Sequence, residues 1–140
     1  MKRFFVMAIC LAFGFSALSA KDKILYLPIK DALNSKEAKE VLNPNIKFSF
    51  GSGTKANIIV KDLQANKKTN SFNKSDEKAC QWVFLSALKT FQERAVKEGG
   101  KRVVNLTGYF KKETYDSKDT FQCAVGAIMA GVTLKGDIAK

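Results

Sequence analysis

The sequence predicts an α+β fold: one long helix packed on a small antiparallel or mixed sheet, in a single domain closed by one disulfide. Three observations predict it. Apolar residues recur at helical spacing between two strong stop signals, and short β-prone runs flank that stretch on both sides. Two cysteines remain once an export-type leader is set aside.

The helical stretch runs from Ser75 to Gly100. Ala79, Cys80, Val83, Phe84, Ala87, Leu88, Phe91 and Ala95 follow one another at spacings of three and four, which places them on one broad stripe. The Ser75 hydroxyl is suited to accept an orphan amide of the first turn, and Asp76 and Glu77 put negative charge at the positive end of the helix dipole. Gly99 and Gly100 end it, because glycine enters the left-handed conformation without a Cβ clash. The predicted helix is therefore Asp76–Glu98. Phe72, just ahead of the cap, is a candidate hydrophobic staple.

The leader is read from its three-part pattern. Lys2 and Arg3 form a charged start, Phe4 to Phe15 an apolar run too short for a stable membrane anchor, and residues 16–20 a small-residue cleavage zone. A signal peptide at 1–20 and a domain at 21–140 follow, with a periplasmic or secreted location after cleavage near Ala20. Cys10 sits inside the apolar run without a small-residue approach, which argues against a lipid anchor. Cys80 and Cys123 are then left as an even pair in an oxidising compartment, and such a pair is most simply a disulfide. The alternative is two buried thiols. Closing a loop of 43 residues is worth about 4 kcal/mol in the chain-entropy model.

The remaining elements are read in order. Lys21 to Ile29 is a short β-prone run that Pro28 limits to an edge or a strand end. Ser35 to Leu42 has a helical start and stops before Asn43-Pro44. Ile46 to Phe50 alternates as a half-buried strand, Gly51-Ser52-Gly53 turns the chain, and Ala56 to Leu63 is another strand. Lys67 to Lys74 is polar and reads as a loop. Beyond the helix, Arg102 to Phe110 is a strand, 111–119 a charged linker, and Phe121 to Leu134 a last strand with two apolar faces.

Composition removes several functions. There is no histidine, so the commonest general base and metal ligand are missing. No CxxC pair occurs, and residues 51–55 lack the spacing of a phosphate-binding loop. No cofactor is implied. The net charge of +11 is carried almost wholly by scattered lysines, with Arg94 and Arg102 the only arginines beyond the leader. Bidentate phosphate and base recognition favours arginine, so the charge reads as a solvated surface rather than a nucleic-acid site. Lysine-based polyanion binding stays as an alternative.

Two groups of residues are candidates for function. Trp82 and Leu85 lie off the main helical stripe, with Val96 further along, and either pack in the core or form a patch for a partner. Asn105, Thr107 and Tyr109 alternate along one strand and mark either a small polar pocket or a plain solvent-facing side. Glu93, Glu98, Glu113, Asp116 and Asp119, with Tyr109 or Tyr115, are the groups a small enzyme would draw on. Glu93 and Lys97 are spaced as a surface ion pair.

Taken together, ACQWVFLSALKTFQERAVKEGGKRVVNLTGYFKK, DALNSKEAKEVLNPNIKFSFG, NKKTNSFNKSDEKAC and AGVTLKGD resemble a family of small exported bacterial proteins. Its members often carry the label "excinuclease ATPase subunit"; this chain has neither a phosphate loop nor a zinc-finger cysteine set to match that label. More distantly, the order of helix, glycine pair, VVN strand and cysteine strand is similar to the YbjQ-like fold and to the Rcs envelope-stress sensor lipoprotein. The chain departs from that sensor in lacking a lipid-anchor cysteine and keeping one cysteine pair. The likeness implies an envelope protein with an α+β domain and supplies no catalytic residues. The expected role is a non-enzymatic module that binds an envelope protein or a small ligand.

Overall fold

Ser75 and Gly99 set the limits of the longest element. In the computed structural model, which describes residues 23–140, the Ser75 hydroxyl accepts the Lys78 amide at 3.1 Å. Gly99 takes a φ of 74°, and the Gly99 and Gly100 amides donate to the Val96 and Ala95 carbonyls, closing a left-handed cap. The helix α3 (Asp76–Glu98) thus has the expected bounds. The predicted signal peptide at 1–20 lies outside the described residues.

The stripe residues of α3 are all buried, and Leu85 and Gln92 join them. Fully burying Phe84, Leu85, Leu88 and Phe91 contributes about 1.5–3 kcal/mol each. They pack on a curled mixed sheet of six strands: β1 (Lys23–Pro28), β2 (Lys47–Phe50), β3 (Ile58–Asn70), β4 (Arg102–Gly108), β5 (Thr120–Val125) and β6 (Met129–Ala139). Two short helices, α1 (Ile29–Leu33) and α2 (Lys36–Val41), lie between β1 and β2. The Ser35 hydroxyl caps α2 by accepting the Ala38 amide at 3.1 Å.

The sheet is organised by β6. One of its edges is covered by β3 along nearly its whole length, antiparallel. The other edge is shared: β5 pairs at Ala130 and Gly131, and β4 takes over from Leu134 to Ala139. The Met129, Thr133 and Ala139 carbonyls all accept hydrogen bonds on that second edge. Outside these, β1 runs antiparallel to β5 and β2 parallel to β4.

Alternation along β6 separates two faces. Ala130, Val132, Leu134 and Ile138 join α3 in the core, while Met129, Gly131, Thr133, Lys135 and Asp137 point to the opposite side. The disulfide ties α3 to the sheet from within the core: Cys80 and Cys123 are both buried, with Cα atoms 5.8 Å apart. Beside it, the Phe84 and Phe121 rings stack with centroids 4.0 Å apart.

Several expectations need correction. The polar run Lys67–Asn70 is strand, not loop, because β6 offers it a complete ladder of partners. The predicted single strand Phe121–Leu134 is a hairpin that turns at 126–128, and β6 extends to Ala139. Ile29–Leu33 forms a helix that the sequence did not announce. Phe72 is exposed and does not staple the start of α3. The ion pair on α3 joins Arg94 to Glu98 at 2.9 Å, one position on from the expected pair.

Candidate functional site

The connection from β2 to β3 creates the site. These strands sit on opposite sides of the β4–β6 pair, so residues 51–57 must cross the sheet. They cross on the face away from α3. Gly51 starts the crossing with a φ of 85°, a backbone state open to glycine. Asp116 then fastens Ser52: its Oδ1 accepts the Ser52 amide at 2.9 Å and its Oδ2 accepts the Ser52 hydroxyl. These bonds, the hydroxyl first, hold the Asp116 carboxyl below its usual pKa of 3.8, helped by Lys118 and opposed by slight desolvation. Further along, Asn105 grips Thr54, accepting its amide at 2.9 Å and donating to its carbonyl at 3.4 Å.

Two β-bulges flank β6 at this level. One lies in β3 between Val60 and Leu63, the other in β4 between Val104 and Thr107. Each contains a residue with positive φ, Asp62 at 56° and Asn105 at 57°. Between them stands Asp137, only 7% exposed. Its Oδ1 accepts the Asp62 amide at 2.8 Å and its Oδ2 accepts the Asn105 side-chain amide at 3.0 Å.

A hollow of about 170 Å³ opens beside this clasp. Ser52, Asp62, Thr114, Lys135 and Gly136 complete its wall around Asn105, Thr107 and Asp137. Thr107 is 6% exposed and its hydroxyl has no hydrogen-bond partner. A buried polar atom left unpaired costs about 1–3 kcal/mol, so this one is a feature that calls for a partner. Lys135 also lines the hollow, and its ammonium lies over the Tyr109 ring, 4.5 Å from the centre. A residue with an unpaired hydroxyl, a lysine and two acids thus line one small space.

The expected residues divide as follows. Asn105 and Thr107 both line the hollow, whereas Tyr109 lies under Lys135 and does not. Leu85 is wholly buried, so it belongs to the core and to no surface patch. Trp82 and Val96 are 44% and 60% exposed. They stand about 21 Å apart along the helix at 1.5 Å per residue, too far to form one patch by themselves. Trp82 instead borders a cleft with Glu37, Lys74 and Lys78. Glu93, Glu98, Glu113, Asp116 and Asp119 stay outside the hollow. Tyr115 shares a 2.6 Å hydrogen bond with the Thr120 hydroxyl. Among the described residues, no group of three His, Cys, Asp or Glu side chains is placed to hold a metal ion, and no helix is long and apolar enough to cross a membrane.

Sequence reasoning missed Asp137, Asp62 and Lys135. The available signal was an acid, Asp137, set between Gly136 and the apolar pair Ile138-Ala139. A charge there needs partners.

Fold and site define a disulfide-closed, single-domain α+β protein with a clasped polar hollow on its open sheet face. No family model matches the chain, and no curated protein or solved structure matches it either.

Proposed function

We propose that this chain is a non-enzymatic ligand-binding module of the cell envelope, taking a small polar molecule in the hollow beside Asp137. The observation that carries the reading is the unpartnered Thr107 hydroxyl, on a residue that lines the hollow together with Lys135 and Asp137. A ligand with its own donors and acceptors would satisfy it, and Lys135 and Asp137 would orient the charges of that ligand. The envelope assignment rests on the export-type leader, the cysteine pair and the likeness to small exported proteins.

The test is an amide NMR titration with single amino acids, polyols and monosaccharides. At least one probe is expected to shift the Thr107, Lys135 and Gly136 amides together, and Thr107→Val is expected to weaken that probe about tenfold. If no probe moves these amides, or if Thr107→Val binds as well as the parent, the hollow is not a ligand site. Cell fractionation of the full chain tests the location separately: recovery in the cytoplasm with residues 1–20 attached would defeat the envelope assignment.

A further inference from the structure

A second and larger concavity lies on the same sheet face, further towards the start of β6. It is a groove of about 460 Å³, within the range of about 300–1,000 Å³ typical of small-molecule clefts. Its floor is the cross-strand pair Gly131 and Ala124, two residues small enough to leave the sheet bare. Asn66 and Lys68 of β3 form one wall. Phe110 and Lys111, in the 3-10 turn after β4, form the other.

Three properties narrow the occupant. First, lysines stand on both walls and no acid lines the groove, so the occupant is anionic. Second, the Asn66 amide on the wall and the neighbouring Thr133 hydroxyl supply neutral hydrogen bonding, suited to hydroxyl groups. Third, Phe110 adds an aromatic ring to the lining; the Lys111 ammonium lies over one of its faces, 5.4 Å from the centre, which leaves the other for a flat partner. Lys111 and Lys112 both hold positive φ, at 52° and 62°. Two successive non-glycine residues in that state are strained, and such strain collects where side chains must be held in place.

We propose that this groove binds an acidic glycan, with sugar rings over Phe110, hydroxyls on Asn66 and Thr133, and carboxylates between Lys68 and Lys111. A lipid headgroup or nucleic acid would use the lysines too, but neither needs the neutral amide and hydroxyl. The site is independent of the hollow beside Asp137.

Gly131 makes the groove testable. A Cβ built there meets only ordinary contacts, Lys67 O and Lys68 Cγ at 3.5 Å, so a side chain fits the backbone and grows into the groove. Gly131→Val is therefore expected to fold, since valine suits a strand, and to abolish binding. The probe is a galacturonic acid trisaccharide, followed by amide NMR, with maltotriose as the neutral control.

The acidic trisaccharide is expected to shift the Asn66, Gly131 and Thr133 amides. Lys68→Gln with Lys111→Gln should weaken it about tenfold, as should Phe110→Ala. Both of these changes lie at the surface, so they stand as tests even if Gly131→Val fails to fold. Equal binding of maltotriose, an affinity untouched by Phe110→Ala, or no binding of the acidic sugar would each overturn the proposal. So would double-stranded DNA or phosphatidylglycerol vesicles displacing the trisaccharide at lower concentration.

Discussion

Asp137 receives the side-chain amide of Asn105 at 3.0 Å, and that one contact joins the central strand to the segment that crosses it. Asn105 passes the restraint on to Thr54, while the other oxygen of Asp137 holds the Asp62 amide. A single carboxylate thus pins two bulges and, through one of them, the connection between β2 and β3. Replacing it with alanine leaves two donors without their charged acceptor. Asp137→Ala should lower unfolding stability by about 3 kcal/mol in urea denaturation, and Asp137→Asn by roughly half that, because one oxygen remains. A loss under about 0.5 kcal/mol for the alanine variant would show that the clasp carries no weight.

Asn105 can be separated into two roles. Its side chain grips Thr54, and its backbone occupies a φ of 57°. Both Asn105→Gly and Asn105→Ala lose the grip, but only alanine pays the left-handed strain. The alanine variant should be less stable than the glycine variant by about 1 kcal/mol. Equal stabilities in parallel denaturation curves would place the residue outside the left-handed region in solution.

The disulfide closes a loop of 43 residues. Removing it as Cys80→Ala with Cys123→Ala should cost about 4 kcal/mol before any loss of packing. Both cysteines are buried with no exposed surface. Reductant should therefore act on the native protein only as fast as the core opens, which thiol labelling over time in dithiothreitol would measure. Reduction that outpaces global unfolding, tracked by hydrogen exchange, would contradict this burial.

Asp116 sets a pH limit on the crossing segment. Its folded pKa is depressed below 3.8 by the Ser52 hydroxyl and amide. The sign follows from linkage: a depressed carboxyl adds stability above its unfolded value and loses it as pH falls through the folded value. The contribution should be intact at neutral pH and fade only below about pH 3.8. Side-chain carboxyl NMR should find a midpoint under that value, and Asp116→Asn should flatten the acid limb of the stability curve. A midpoint at or above 3.8 would mean that the Ser52 contact does not persist in solution.

How much of this was legible depends on whether the information was local. The helix α3 was read from cap to cap because Ser75, the apolar stripe and Gly99 act over a few residues each. The cysteine pairing followed from counting. The stretch Lys67–Asn70 was missed because its side chains are mostly polar and its strand state comes from pairing with β6. The β5–β6 turn was hidden by an apolar residue, Ile128, which reads as part of a strand face but sits exposed in the turn. Asn105 and Thr107 were named with Tyr109 as a pocket or a solvent-facing side, yet the bulge that seats Asn105 exists only once β4 meets β6. Asp137 was invisible for the same reason: its partners lie 75 and 32 residues away.

The shared edge of β6 has a consequence for the order of events in folding. Among the described residues, β3 has no sheet partner other than β6, and the β2–β4 pair is joined to the β1–β5 pair through β6 alone. As the chain is delivered from its amino end, every one of these strands is complete before the strand that unites them arrives. Only the β2–β4 and β1–β5 pairs can form before it, and the long-range pairings of β6 make closure slow. Until residues 129–139 emerge, β3 lacks the strand it pairs with, and the β2–β4 and β1–β5 pairs have nothing to join them.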